Sequence, residues 1–136
     1  MSKFDIAYMK MAIEWSLLSS AIRKKVGCLI VSDRMIISDG YNGTPSGFEN
    51  KCEDDDGNTK WHVLHAEANA ITKLAKSTNS SKNATLYTTL SPCKECSKLI
   101  LQSGIKRVVY LNEYKDTAGI DLLRKANVDI LKIDLI

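Results

Sequence analysis

The sequence is short of several things. Its 136 residues include only two histidines, two prolines, two tryptophans and two phenylalanines. No stretch reaches the roughly 18 apolar residues that a membrane-spanning helix needs, so no such span is expected. The opening residues, MSKFDIAYMKMAIEW, interleave charged with apolar side chains and lack the layout of a secretory leader. The chain is therefore expected to stay in a reducing cytoplasm. There its four cysteines read first as metal ligands, catalytic groups or buried thiols, and only then as disulfides. Charge of one sign is scarce too. The net charge is +3, and aromatic residues make up 7%. A polynucleotide channel needs a strong basic field and stacking rings, so no polynucleotide and no membrane partner is expected. Repeats, linkers and low-complexity tracts are missing as well, and residues 1–136 read as one domain.

What is present is ordinary globular composition, 44% apolar and 26% charged. Apolar periodicity predicts a helix over 4–19, a strand over 26–31 and a second, hairpin-paired strand over 35–38. Residues 40–60 are dense in Gly, Asn, Asp and Thr and read as a loop. Beyond them come a helix over 66–76 and a strand over 84–90. Another helix starts near Pro92 and ends before Gly104, with proline early and glycine late as capping favours. A strand over 105–111, a helix over 119–126 and a strand over 128–133 complete the series. Strands alternating with helices imply parallel pairing in this half. The expected fold is a three-layer α/β/α domain with a mixed sheet of about five strands.

Chemistry concentrates in two short stretches. "SPCKECSK" places Cys93 and Cys96 on one face of a helix start, where the helix N-terminus favours thiolates. Alone, the pair reads equally as a dithiol redox centre or as half of a structural zinc site. "HAE" adds His65 and Glu67. Three ligands, His65, Cys93 and Cys96, would leave zinc one open position for water, and Glu67 would carry the proton. A redox pair leaves His65 and Glu67 unexplained, and a closed zinc module leaves Glu67 unexplained. The i, i+2 spacing of His65 and Glu67 works only if His65 precedes the first helical turn, since such residues point roughly 200° apart on a helix.

The two stretches together match the His-x-Glu…Pro-Cys-x-x-Cys signature, and here the sequence resembles the zinc-dependent nucleoside and nucleotide deaminases. "VGCLIV", "GYNGTPSG", "HAEANAI", "LYTTLSPCKECSKLI" and "QSGIKRVVY" extend the resemblance to the deoxycytidylate (dCMP) deaminase branch. The resemblance implies the cytidine-deaminase fold, one catalytic zinc, and hydrolysis of dCMP to dUMP and ammonia, a precursor supply for thymidylate synthesis. It implies Glu67 as the proton shuttle. It also implies a substrate contact from Asn42, and Ala66, Ser91 and Pro92 beside the signature residues are further candidates. The basic cluster at 23–25 offers Arg23 to a 5′-phosphate, and Tyr114 and Lys115, on the carboxyl side of the sheet, are candidate substrate contacts as well. The segment Asn42, Gly43, Thr44, Pro45 and Gly47 resembles the family's regulatory-nucleotide loop. Activation by dCTP, inhibition by dTTP, Mg²⁺ accompanying the triphosphate and a homo-hexamer follow as further expectations. Deaminases acting on tRNA tend to carry Glu before the Pro-Cys pair, where this chain has Ser91. Cys52 and His62 are too few for a second, structural zinc. Cys28 reads as a core residue, and the acidic run from Glu53 to Asp56 reads as a solvated face.

Overall fold

The computed structural model describes residues 2–135. Nine elements follow in chain order: α1 (Lys3–Ser16), β1 (Gly27–Ser32), β2 (Met35–Tyr41), α2 (Ala66–Ala75), β3 (Thr85–Leu90), α3 (Lys94–Gln102), β4 (Arg107–Asn112), α4 (Ala118–Lys125) and β5 (Asp129–Lys132). The strands form one five-stranded sheet in the order β2-β1-β3-β4-β5. β1 runs antiparallel to both its neighbours, whereas β3, β4 and β5 are parallel. The mixed sheet and the alternation agree with expectation.

Two apolar clusters fill the two faces. On one, Ala66, Ala70 and Leu74 of α2, Ile100 of α3 and Ile120 and Leu123 of α4 pack on Cys28, Ile30, Leu86 and Val108. On the other, Met9 and Ala12 of α1 meet Leu29, Val31, Tyr87 and Val109. Alternation along β1 sends Cys28 and Ile30 to one face and Leu29 and Val31 to the other, as a strand buried on both sides requires. Cys28 is fully buried, as a core thiol should be.

Two boundaries depart from the periodic pattern. The first helix ends at Ser16 and not at 19, because the N–H groups of Leu17 and Leu18 turn back to Glu14 and Trp15. The apolar letters that prolonged the pattern, Leu17 and Leu18, are exposed at 60% and 55%. The second strand runs to Tyr41, beyond the expected 38, and takes in a glycine that read as loop. That glycine has a packing reason. A Cβ on Gly40 would sit 2.4 Å from the Ala66 carbonyl oxygen, so only glycine lets α2 lie against β2. The remaining boundaries shift by one or two residues.

One polar cluster ties the start of α1 to β3 and β4. Ser2 and Asp5 form a capping box at the start of α1. The same Asp5 carboxylate, 3% exposed, takes two hydrogen bonds from Arg107 at 2.9 and 2.8 Å and one from the Tyr87 hydroxyl at 2.6 Å. The Arg107 hydrogen bonds hold the Asp5 carboxyl well below the usual carboxylate range. A depressed carboxyl pKa contributes stability that is present above the unfolded value of about 4 and is lost as pH falls below it. Asp5→Ala is expected to cost about 2 kcal/mol at pH 7, at the low end because the Arg107 side chain is 30% exposed. Thermal melts should show a loss of roughly 6 °C at pH 7. The gap between variant and wild type should shrink between pH 5 and pH 2; a gap independent of pH would refute the assignment.

Candidate active site

Two helices begin at the same place. His65 is the N-cap of α2, with extended backbone at φ −70° and ψ 159°. It therefore precedes the first turn, as the His65–Glu67 spacing demanded. Cys93 is the N-cap of α3, also extended, and its sulfur accepts from the Cys96 N–H. Cys93 lies just beyond the carboxyl end of β3, the edge where α/β sheets place ligands. The α3 start is fixed from below by α4: a Cβ on Gly119 would lie 2.4 Å from the Pro92 carbonyl oxygen.

These two N-termini bring three ligand atoms together. Cys93 Sγ is 3.5 Å and Cys96 Sγ 3.4 Å from His65 Nδ1, and all three atoms lie within 4.8 Å of one another. A tetrahedral zinc with bonds of about 2.1 Å to nitrogen and 2.3 Å to sulfur would separate its ligand atoms by roughly 3.6 Å. The observed spacings fit that ion, and one imidazole with two thiols is a zinc donor set.

The electrostatics of the cluster follow from its crowding. Cys93 has its pKa pushed down to about 3, first by hydrogen bonding from the Cys96 thiol and then by His65. Cys96 is pushed up, as the donor in that pair and as a buried thiol. His65 is raised by its contact with Cys93. Glu67 is buried at 4% exposure, and burial pushes its pKa up to about 7. Zinc held by His65, Cys93 and Cys96 would need a neutral imidazole and two thiolates, so its binding would be coupled to proton release.

His65 and Cys93 line a cleft of about 510 Å³, which Glu67 also lines, while Cys96 is buried. Arg23, Lys24 and Lys115 line it as well and supply three cations. Lys24 Nζ sits 5.5 Å from the centre of the Tyr114 ring, which ties two sides of the cleft by a cation–π contact. Ala66 and Ser91 line the cleft. Ser91 Oγ accepts from the Tyr114 N–H at 2.7 Å and so fixes the turn after β4. Pro92 is buried beneath the α3 start.

Asn42 lines the same cleft, and its side-chain amide also makes two backbone contacts. Its Oδ1 accepts from the Val26 N–H at 2.9 Å, and its Nδ2 donates to the Lys24 carbonyl at 2.8 Å. Gly43, Thr44, Pro45 and Gly47 line a different cavity, of about 570 Å³, together with Lys73 of α2 and its C-cap Lys76. Cys52 is buried beside Ser20, and His62 lies 5.5 Å from the Phe48 ring and 5.6 Å from Trp61. Among the described residues, only His65, Cys93 and Cys96 form a group with metal-ligand spacing. The acidic run splits: Asp54, Asp55 and Asp56 are exposed as expected, but Glu53 is buried at 4% and lines the cleft. Only its long-range pairing reveals this; nothing in "CEDDDG" marks one acid apart from the others.

An open three-ligand metal site beside a buried carboxylic acid, on a three-layer α/β/α sheet, defines a metal-dependent hydrolytic enzyme. The chain belongs to the cytidine and deoxycytidylate deaminase family, whose zinc-binding region matches residues 2–112. It is 34% identical to a Saccharomyces cerevisiae deoxycytidylate deaminase over 93% of this chain, and spans 44% of that protein's length. It is 33% identical to the deoxycytidylate deaminase of Enterobacteria phage T4 over 80% of this chain and 79% of that protein. The crystal structure of a cyanophage S-TIM5 dCMP deaminase, in complex with dCMP and dUMP, superposes with a TM-score of 0.94 at 47% identity, covering 98% of this chain and 99% of that one.

Purified protein should carry about one zinc per chain by elemental analysis. Cys96→Ala should remove most of it. Zinc-free protein that retains full activity would rule out the assignment.

Proposed function

We propose that this chain hydrolyses dCMP to dUMP and ammonia as a single deaminase domain. One observation carries the reading: a single cleft is lined by His65 and Cys93 of the three-ligand cluster, by the buried acid Glu67 and by three cations. The likeness to an enzyme solved with dCMP and dUMP supports it. Zinc held by His65, Cys93 and Cys96 would supply Lewis-acid activation of water.

The chain's own residues do the rest. Glu67, buried with a pKa near neutrality, is suited both to accept a proton and to return one. It passes protons to N3 of the cytosine ring and to the departing amino nitrogen. Burial of this acid excludes competing water and keeps it within the protein interior. Arg23, Lys24 and Lys115 offer charge-assisted hydrogen bonds to a 5′-phosphate, and Arg23 can grip it through two donors. Ser91 holds the Tyr114–Lys115 turn, and Ala66 lines the cleft around the base, while Pro92 lies buried at the α3 start and not in the wall.

The second cavity is the proposed regulatory site. Its Gly-rich segment offers backbone N–H groups, and Lys73 and Lys76 offer charge to a triphosphate. Lys73 also pairs with Asp39, which in turn accepts from the Trp15 indole N–H. We read dCTP with Mg²⁺ as activator, dTTP as inhibitor, and a cytoplasmic homo-hexamer as the working form, feeding thymidylate synthesis.

Ammonia release from dCMP should exceed that from deoxycytidine by about three orders of magnitude in kcat/KM, as two or more charge-assisted bonds imply. Comparable rates on both would refute the monophosphate reading. Glu67→Gln should keep its zinc and its fold and lose at least about 10³-fold in kcat. A variant that lost zinc but recovered on adding it would make Glu67 a ligand instead. dCTP and dTTP should shift the substrate curve in opposite directions, which requires each to bind two states unequally. Hyperbolic curves unmoved by either nucleotide would count against regulation.

A further inference from the structure

The basic segment that lines the cleft has no regular structure of its own. Residues 19–26 lie between α1 and β1 and carry Arg23, Lys24 and Lys25. Their backbone groups are tied by side chains from elsewhere. Asn42 holds the Lys24 carbonyl and the Val26 N–H. Glu53 holds the rest: its Oε2 accepts from the Ile22 N–H at 3.0 Å and from the Arg23 N–H at 3.3 Å. Ser19 Oγ adds a bond to the Asn42 carbonyl.

Glu53 is itself firmly placed. It pairs with Thr59 across a small hairpin, closed by Asp54 N–H to Asn58 O at 2.8 Å and Lys60 N–H to Cys52 O at 2.8 Å. The Asp54 carboxylate caps the tip by accepting from Asp56 N–H and Asn58 N–H. Buried Cys52 and the Ser20–Asn50 hydrogen bond press the hairpin onto the basic segment. The acidic run thus has one inward acid with a task and three outward acids at a turn.

We propose that Glu53 is a positioning residue for substrate recognition: it fastens the backbone at Ile22 and Arg23 so that Arg23 and Lys24 meet the 5′-phosphate. The inference rests on the proposed dCMP activity and deepens it. Two adjacent N–H groups donating to one carboxylate make charge-assisted hydrogen bonds, which are stronger than neutral ones. Without it, two N–H groups are left without a protein acceptor, and the Ile22–Arg23 stretch is held only from its flanks, by the Ser19 and Ser20 hydrogen bonds before it and the Asn42 amide after it. A displacement of about 1 Å at a binding group is enough to cost one to two orders of magnitude. The chemistry on the floor is untouched, because His65, Cys93, Cys96 and Glu67 sit on α2 and α3 and not on this segment.

The test uses zinc-loaded full chain with Glu53→Ala and Glu53→Gln. Glu53→Ala should raise KM for dCMP about tenfold or more, change kcat less than about threefold, and leave slow deoxycytidine turnover at the wild-type level. Glu53→Gln, whose amide oxygen can still accept, should recover most of the lost affinity. Hydrogen exchange followed by mass spectrometry should show residues 19–26 exchanging faster in Glu53→Ala and close to wild type in Glu53→Gln. An unchanged KM for dCMP would overturn the proposal, as would an equal loss on dCMP and deoxycytidine, or unchanged exchange in the alanine variant. Wild-type protein with no preference for dCMP would instead overturn the proposed substrate, a failure visible before either variant is made.

Discussion

Everything at the floor of the cleft depends on two helix N-termini meeting at one point. The first N–H groups of a helix have no intrahelical partner and carry the positive end of its dipole. Where α2 and α3 converge, that field favours thiolate at Cys93 and a dication's negative ligands. As N-caps, His65 and Cys93 stand on extended backbone, free of the helical periodicity that would turn them apart. The convergence is enforced by packing and not by the ligands. Gly40 lets α2 lie against β2, and Gly119 lets α4 press up against Pro92 and Cys93. A methyl group at either glycine would push one ligand away from the other two.

The same arrangement sets the acid beside the metal ligands. Glu67 follows His65 by two residues on the first turn of α2, where the helix has already begun to point side chains inward. Burial raises its pKa, while the helix N-terminus and the neighbouring imidazole oppose the rise. The balance leaves an acid that can hold or release a proton near neutral pH. A carboxylate further along α2 would be either solvated and strongly acidic or buried in the apolar layer and inert.

Much of this was legible in the sequence because it is local. Cap positions, the Cys-x-x-Cys spacing and the switch from loop to helix at His65 are read from neighbours within a few residues. The alternating strands and helices declared the layers for the same reason. What escaped depended on partners far along the chain. Asp5 meets Arg107 across 102 positions, and Glu53 meets Ile22 across 31. Asn42 reads as a candidate substrate contact, yet its amide also spans 16 and 18 positions to hold the segment before β1. The first helix ran long on paper because Leu17 and Leu18 continue its apolar rhythm, and only the turn back toward Gly27 shows that they face solvent.

The division between local and distant has a functional counterpart. The groups assigned to bond breaking come from the starts of two helices and two short motifs, so the chemistry is carried by compact signatures. The groups assigned to the phosphate come from an irregular segment after α1 and from the turn after β4, and neither is held by regular structure. The first hangs on Asn42 and Glu53; the second hangs on Ser91. Side-chain anchors of this kind exchange by single substitutions, whereas a helix start does not move without repacking a layer. A fold built this way can keep one reaction and change its substrate by altering anchors, because recognition is mechanically separate from the catalytic floor.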